Sequence, residues 1–568
     1  MSSNYCSSTL RRSIIVLLMI FALAGCGGGG GSATPPPVAD TPPPPPVITK
    51  TQLQEAARFA SQATFGVPFE ALEPMARQGA EDWLTQQFAL PVTRHSPTIV
   101  EILQRREAGE FDAFEEDIEY LIFARRLAWW HNTITAEDTL RQRVAFALSQ
   151  IFVVSDNVDI LEVYPGALGT YYDLLLTNAF GNFRDLLAAV TRSPAMGIYL
   201  SHMNNQRSNP DAGTFPDENY AREVMQLFSI GLFELNADGS RRLDGAGRAI
   251  PTYDNSDIGE FAKIFTGFSF GGEGAFFGNN DDPRFSVPMQ MFDAAHEPGE
   301  KRLLNGFVVP AGQSGDADVE MAIDNLFNHP NVGPFIGRLL IQRLTTSNPS
   351  PAYMTRVSNA FADNGNGVRG DMQAVIRAIL LDPEARQSAP GDTRGKVSEP
   401  VVRYVSLLRQ IGVESDDGFI AALGYFLQNE TRQHPLSSPS VFNFYLPDHQ
   451  PAGALAQRDL FAPELSITNA NTVIAWPNFL DAVLLGSFVT DPPQGFSEVR
   501  LTPDRWLAIA DDPAALVDEI NTLMVFGRLY PETVDAIIES ITPYEEAPLR
   551  VALAIYYVAI SPEVVVQQ

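Results

Sequence analysis

The chain has 568 residues, 45% of them hydrophobic and 10% aromatic, a globular composition with apolar material for one large core or two. Its formal net charge is −29, with 39 Lys and Arg against 68 Asp and Glu, so nucleic acid and bare anionic lipid are poor partners. The two cysteines are Cys6 and Cys26, so everything after residue 26 lacks a thiol. Disulfides, cysteine nucleophiles, thiolate zinc, iron–sulfur ligation and c-type haem are thereby excluded from the body.

A polar stretch ending in Arg11 and Arg12, an apolar run from Ile14 to Ala24 and a small-residue break predict a signal peptide over 1–25. The run falls short of the roughly 20 apolar residues of a permanent span. Leu23-Ala24-Gly25-Cys26 resembles the lipobox of bacterial lipoproteins, which implies cleavage before Cys26 and acylation of its sulfur. An ordinary secretory peptide is the alternative, but the small residues abut Cys26 and no Ala-x-Ala site offers a better cut. Two or three acyl chains would hold a protein on a membrane essentially permanently. Gly27 after the cysteine, where Asp is absent, implies transport to the outer membrane. Residues 26–49 then read as a tether, flexible through Gly27–Gly31 and extended through the prolines at 35–37 and 42–46.

From residue 50 to 568 helical signals dominate. Thr51-Gln52-Leu53-Gln54 is a capping-box pattern, and Thr135-Ala136-Glu137-Asp138 is another, ahead of an apolar stripe of Leu140, Val144, Leu148, Ile151 and Phe152. Further helices are predicted at 182–191, 216–232, 258–266, 319–327, 332–344, 353–362, 371–381, 400–411, 514–526, 531–541 and 548–560. The expected fold class is therefore all-α, a large multi-helix body with long loops. Asp238-Gly239 and Asp244-Gly245-Ala246-Gly247 punctuate the segment from Leu235 to Tyr253, which predicts one small β-hairpin. Ser193-Pro194, Asp382-Pro383 and Ser561-Pro562 follow helical stretches and suit helix junctions, with proline at the first helical position.

At Asp217-Glu218-Asn219-Tyr220-Ala221-Arg222-Glu223-Val224-Met225-Gln226-Leu227-Phe228-Ser229-Ile230-Gly231 the chain resembles the central signature of a bacterial family, domain of unknown function 1800. Other segments follow in the family's order: Gly181 to Leu187 with Ser193 to Met196, Ile258 to Gly267, Phe292 to Lys301, Arg338 to Pro349, Lys396 to Arg403, Pro439 to Val441, and Ser561-Pro562-Glu563. The resemblance implies a fold and an exported habit and brings no activity with it. Members are often encoded beside exported sulfatase-like proteins, which implies envelope or polymer work. Where many relatives carry His-Asn-His, this chain has Ser149-Gln150-Ile151, so a metal site built on those histidines does not carry over.

Candidate chemistry is sparse. Glu218 and Arg222 stand four apart on one helix face with Glu223 beside them, an arrangement that can hold a ligand, tune an acid or lock helices together. Packing of Tyr220, Val224, Leu227 and Phe228 predicts Arg222 and Glu223 as a buried structural pair, with Glu218 peripheral. Asn219, at the same helix start, is placed to bind an anion or to cap. His296, in Phe292-Asp293-Ala294-Ala295-His296-Glu297-Pro298-Gly299, is a candidate base or ligand, or a loop organiser; His434 before Pro435 has a similar and weaker case.

No His-Glu-x-x-His helix or Gly-x-Ser-x-Gly elbow occurs. The glycines at 271–278 fit neither a dinucleotide loop nor a P-loop, and Asp363-Asn364-Gly365-Asn366-Gly367 fits no calcium loop, so no cofactor or metal is expected. Two functions remain. One is an envelope binding or assembly factor, partnered by the membrane through its anchor and by an envelope polymer or a sulfatase-like exported protein. The other is a carboxylate-based hydrolase or lyase acting on such a polymer through Glu218, Glu223 or His296. Two carboxylates converging in an open cleft would favour the second.

Overall fold

The computed structural model describes residues 47–109, 117–281, 283–387, 394–421, 425–486 and 496–568. The expected signal peptide, Cys26 and all but the end of the expected tether lie outside these. Helices begin where short polar side chains can bond the first free backbone N–H groups. Thr49 accepts from the Gln52 N–H while Gln52 accepts from the Thr49 N–H, and this reciprocal cap opens α1 (Lys50–Ala63) two residues before the expected start at Thr51.

The capping box expected at Thr135 is not formed. Thr135 instead closes α2 (Asp117–Thr135), and the next helix, α3 (Thr139–Ser149), follows Asp138, whose carboxylate accepts from the Thr93 N–H at 3.0 Å and from Gln142 at 3.2 Å. α2 was not predicted because its apolar residues lie all round it. Leu127, Trp129 and Trp130 are each buried, leaving no stripe for a 3.6-residue period to reveal.

The central signature forms α4 (Asn219–Gln226), much shorter than the expected 216–232. After Gln226 the N–H groups of Phe228 and Ile230 bond carbonyls five residues back, and Gly231 turns the chain at φ +72°. A Cβ there would stand 2.6 Å from the Phe335 ring, so the close approach requires glycine. α5 (Val332–Leu344), α6 (Pro400–Ile411), α7 (Ala470–Leu484), α8 (Pro513–Val525) and α9 (Ala547–Ala559) complete the elements that frame the site. Edge-on ring contacts link α2 to α6 through Trp130 and Tyr404 at 5.5 Å, and α6 to α7 through Tyr404 and Phe479 at 5.0 Å.

The fold is mostly helical but not strictly all-α. Beside 26 α-helices, the described residues hold eight short strands in four antiparallel pairs. These are β1 (Phe268–Ser269) with β2 (Gln290–Met291), β3 (Lys301–Arg302) with β4 (Val308–Val309), β5 (Lys396–Val397) with β8 (Val566–Gln567), and β6 (Val413–Ser415) with β7 (Val499–Leu501). The expected hairpin at 235–253 is present only as isolated bridges, such as Leu235 with Arg241 and Leu243 with Ala249. Two turns so close together leave arms too short for a continuous ladder. Arg242, Glu234 and Ile250 instead bond one another in turn, Arg242 N–H to Glu234, Glu234 N–H to Ile250 and Ile250 N–H to Arg242. Residues 48–568 form one compact unit around a continuous apolar core. No helix among the described residues is long and apolar enough to cross a membrane.

Candidate functional site

α4 does not make the buried pair expected of it. Arg222 is 42% exposed and meets Glu218, 51% exposed, at 3.4 Å, which is an ordinary surface pair. Glu223 is 6% exposed, and its Oε2 has no hydrogen-bond partner. Burial pushes the Glu223 carboxyl above the usual range against the pull of Arg222. Asn219 is exposed, and Asp217 caps its backbone N–H at 2.8 Å.

The two histidines are engaged elsewhere, and their hydrogen-bond partners are different residues. Buried His296 holds the Thr266 carbonyl at 2.9 Å through Nδ1, which therefore carries a hydrogen in either protonation state. Its Nε2 lies 3.0 Å from Asp318 and 3.2 Å from Lys301, and those two are themselves paired in the interior. Buried His434 donates from Nδ1 to its neighbour Pro435 at 3.0 Å and accepts the Trp130 indole N–H at 3.3 Å. Burial, reinforced by Arg126 and Arg125, lowers its pKa well below that of a free imidazole, so it is neutral. Among the described residues no group of three His, Cys, Asp or Glu could hold a metal ion.

The densest charge lies at the start of α6 and was not anticipated. Lys396 on β5, Arg143 on α3 and Arg343 on α5 gather with Glu399 and Glu464, all buried. Lys396 Nζ bonds Glu399 at 3.3 Å and the Arg343 carbonyl at 3.1 Å, and it stands 3.1 Å from Glu464 at an angle that makes a charge pair without a hydrogen bond. Gln150 donates to Glu399 at 2.6 Å, and Gln433 does so at 2.8 Å. Burial alone would raise the Glu399 carboxyl; Lys396, Arg143 and Arg343 together overcome it and hold the pKa at about 2. Glu464 moves the other way, raised by burial against the pull of Lys396.

One helical turn further along α6, the chemistry changes. Ser398, Val402, Arg403 and Ser406 line a cleft of about 60 Å³ closed on its other sides by Trp476 of α7 and by Arg528. The Arg403 guanidinium lies 4.2 Å from the centre of the Trp476 ring, and its Nε is shielded from solvent with no hydrogen-bond partner. Burial lowers its pKa to about 10, and no carboxylate counters that effect. Arg528 is consumed by oxygens of the C-terminal turn, the carbonyls of Val525, Glu563 and Val566 and the Gln568 side chain.

Two larger clefts are each lined by two arginines and one carboxylate. One of about 510 Å³ is lined by Asp173, bound to the His95 and Ser96 N–H groups, and by Arg192, paired with Glu320 at 2.7 Å. The other, of about 320 Å³, sets Arg58 and Arg386 beside Glu55.

The family described as Protein of unknown function (DUF1800) matches residues 58–566. The chain belongs to it. No curated protein and no solved structure matches the chain. The DUF1800 match runs from α1 to β8, and three segments that carried the resemblance meet here. Arg338 to Pro349 supplies Arg343; Lys396 to Arg403 supplies Lys396 and Glu399 on one side and Ser398 and Arg403 on the other. Ser561-Pro562-Glu563 lies in the C-terminal turn that Arg528 organises. A signal for the charged centre was present in the sequence: Arg143 interrupts the apolar stripe of α3, every residue of which is buried.

Proposed function

We propose that this DUF1800 protein is an exported lipoprotein, anchored through Cys26 to the outer membrane, that serves the cell envelope as a binding or assembly factor. The observation that supports this most is the charge of three clefts among the described residues. None of the three is lined by two carboxylates: the α6 cleft has none, and the others have Asp173 and Glu55. Paired acids are what hydrolysis of a glycosidic polymer needs. Glu399 and Glu464, whose pKa values are pushed apart as an acid and a base would be, are sealed in the interior where a polymer cannot reach.

Cys26→Ala should release the protein from membranes and abolish incorporation of labelled fatty acid, while the parent sediments with isolated envelope polymer without shortening it. Shortening of the polymer by the parent would reverse the assignment in favour of the hydrolase or lyase.

A further inference from the structure

We infer that the cleft between α6 and α7 is a binding site for a ligand carrying a small oxyanion, a carboxylate or a phosphate, with Arg403 as its anchoring cation. The inference rests on the binding function proposed above and adds the class of ligand.

Arg403 lacks a carboxylate partner. A guanidinium held largely away from water, as the half-buried Arg403 is, is ordinarily matched by a carboxylate or by several carbonyl oxygens, because an unmatched and partly desolvated charge is costly. Several arginines of this body keep to that rule; Arg386, whose Nε and one terminal nitrogen are unpartnered over Phe59, does not, but Glu55 lines its cleft. Arg125 is paired with Asp156, Arg409 donates to the carbonyls of Gly66, Thr133 and Ile134, and Arg528 donates to three carbonyls across the cleft. Arg403 has a different neighbour, the face of Trp476, which attracts a cation without using up its N–H donors. The contact also restrains the guanidinium against the ring, so less ordering of its donors remains to be done on binding.

The surroundings suit an anion. No Asp or Glu lines the cleft, the positive charge of Arg528 stands on its far side, and Ser398 and Ser406 bring hydroxyls to the walls. Glu563, near Arg528, is not among the lining residues. The space of about 60 Å³ is several times what one water needs, which admits an oxyanionic group entering from the open side. A planar carboxylate or a tetrahedral phosphate can each take two N–H bonds from one guanidinium edge. Both are therefore admitted by the same chemistry.

The test uses the full-length chain in detergent, titrated with inorganic phosphate, with glucuronate and with uncharged glucose, and read by tryptophan fluorescence and thermal melting. A saturable response to phosphate or to glucuronate, with none to glucose, is expected; phosphate alone would mark a phosphate-bearing ligand, glucuronate alone a carboxylate-bearing one. Arg403→Gln should melt near the parent without ligand and bind the anion roughly tenfold or more weakly, the loss expected for a charge-assisted hydrogen bond.

Should Arg403→Gln fail to fold, Arg403→Lys decides. It retains the charge but not the planar fork, and it should bind several-fold more weakly. Absence of saturation by both anions in the parent, or parent-like binding by these variants, overturns the inference. If no anion binds while the parent still sediments with envelope polymer, the ligand class alone is wrong. Loss of sedimentation with anion binding intact would instead remove the envelope function and leave the site.

Discussion

Two sets of cations share the first turns of α6 and are built on opposite principles. In the centre, Lys396, Arg143 and Arg343 surround Glu399 and Glu464, and the charges answer one another across β5, α3 and α5. In the cleft, Arg403 rests on Trp476 and no acid answers it. A chain with 68 acidic against 39 basic side chains could readily place a carboxylate beside an arginine, so the unanswered one is informative. Paired charge in an interior holds segments in register; unpaired charge at a cleft is poised for something that arrives from outside.

The largest expected effect breaks the centre. Glu399→Gln leaves three buried cations facing one remaining carboxyl, whose own pKa is raised, and should cost about 3–5 kcal/mol in urea denaturation. Arg403→Met in the same assay should change stability by less than about 1 kcal/mol, since it removes a half-buried charge that no carboxylate was holding. Equal losses in the two variants would erase the distinction between the regions.

The pH dependence sharpens it. The folded Glu399 pKa, about 2, lies below its ordinary 4.5, so its stabilisation is full above 4.5 and disappears as pH falls through 2. The deficit of the Gln variant should narrow over that interval.

Glu223 offers an intermediate effect with the opposite sign. Its carboxyl is buried with one oxygen unpartnered and its pKa raised, so an unfolded chain ionises there more readily than the folded one. Its favourable contribution is present in acid and is lost as pH rises from the unfolded pKa through the folded one. Glu223→Gln should match the parent near pH 4 and become the more stable of the two, by up to about 1 kcal/mol, toward neutral pH. A variant less stable than the parent at neutral pH would mean that ionised Glu223 has a partner worth keeping.

Local features of the fold were readable from the chain and convergent ones were not. Helices 332–344, 400–411 and 531–541 begin and end as their apolar spacing predicts, the last two opened by proline. α2 escaped because its buried apolar residues point in several directions, leaving no single stripe to give it a period. The site escaped for another reason. Arg143, Arg343, Glu399 and Glu464 come from four segments whose meeting is a property of the tertiary fold, and no spacing along the chain encodes it. Arg222 shows the limit from the other side: the apolar neighbours Tyr220 and Val224 are buried as expected, but the helix turns Arg222 toward solvent and Glu223 inward.

The smallest expected effect follows from that orientation. Arg222 and Glu218 form an i,i+4 pair open to water on both sides, and such pairs contribute roughly 0.2–0.5 kcal/mol, less as salt rises. Arg222→Ala should therefore melt within a degree or two of the parent, and Glu218→Gln should do the same. Combining the two should add nothing beyond the larger single effect, because each removes the same contact. A loss of many degrees in Arg222→Ala alone would show that Arg222 has a partner other than Glu218. Glu223, the next residue and the carboxyl that Arg222 already draws downward, would be the first to test by a double-mutant cycle. A coupling as large as that expected inside the α6 centre would place α4 with the paired charges of the interior. A coupling near zero would leave Glu223 an acid held by burial alone.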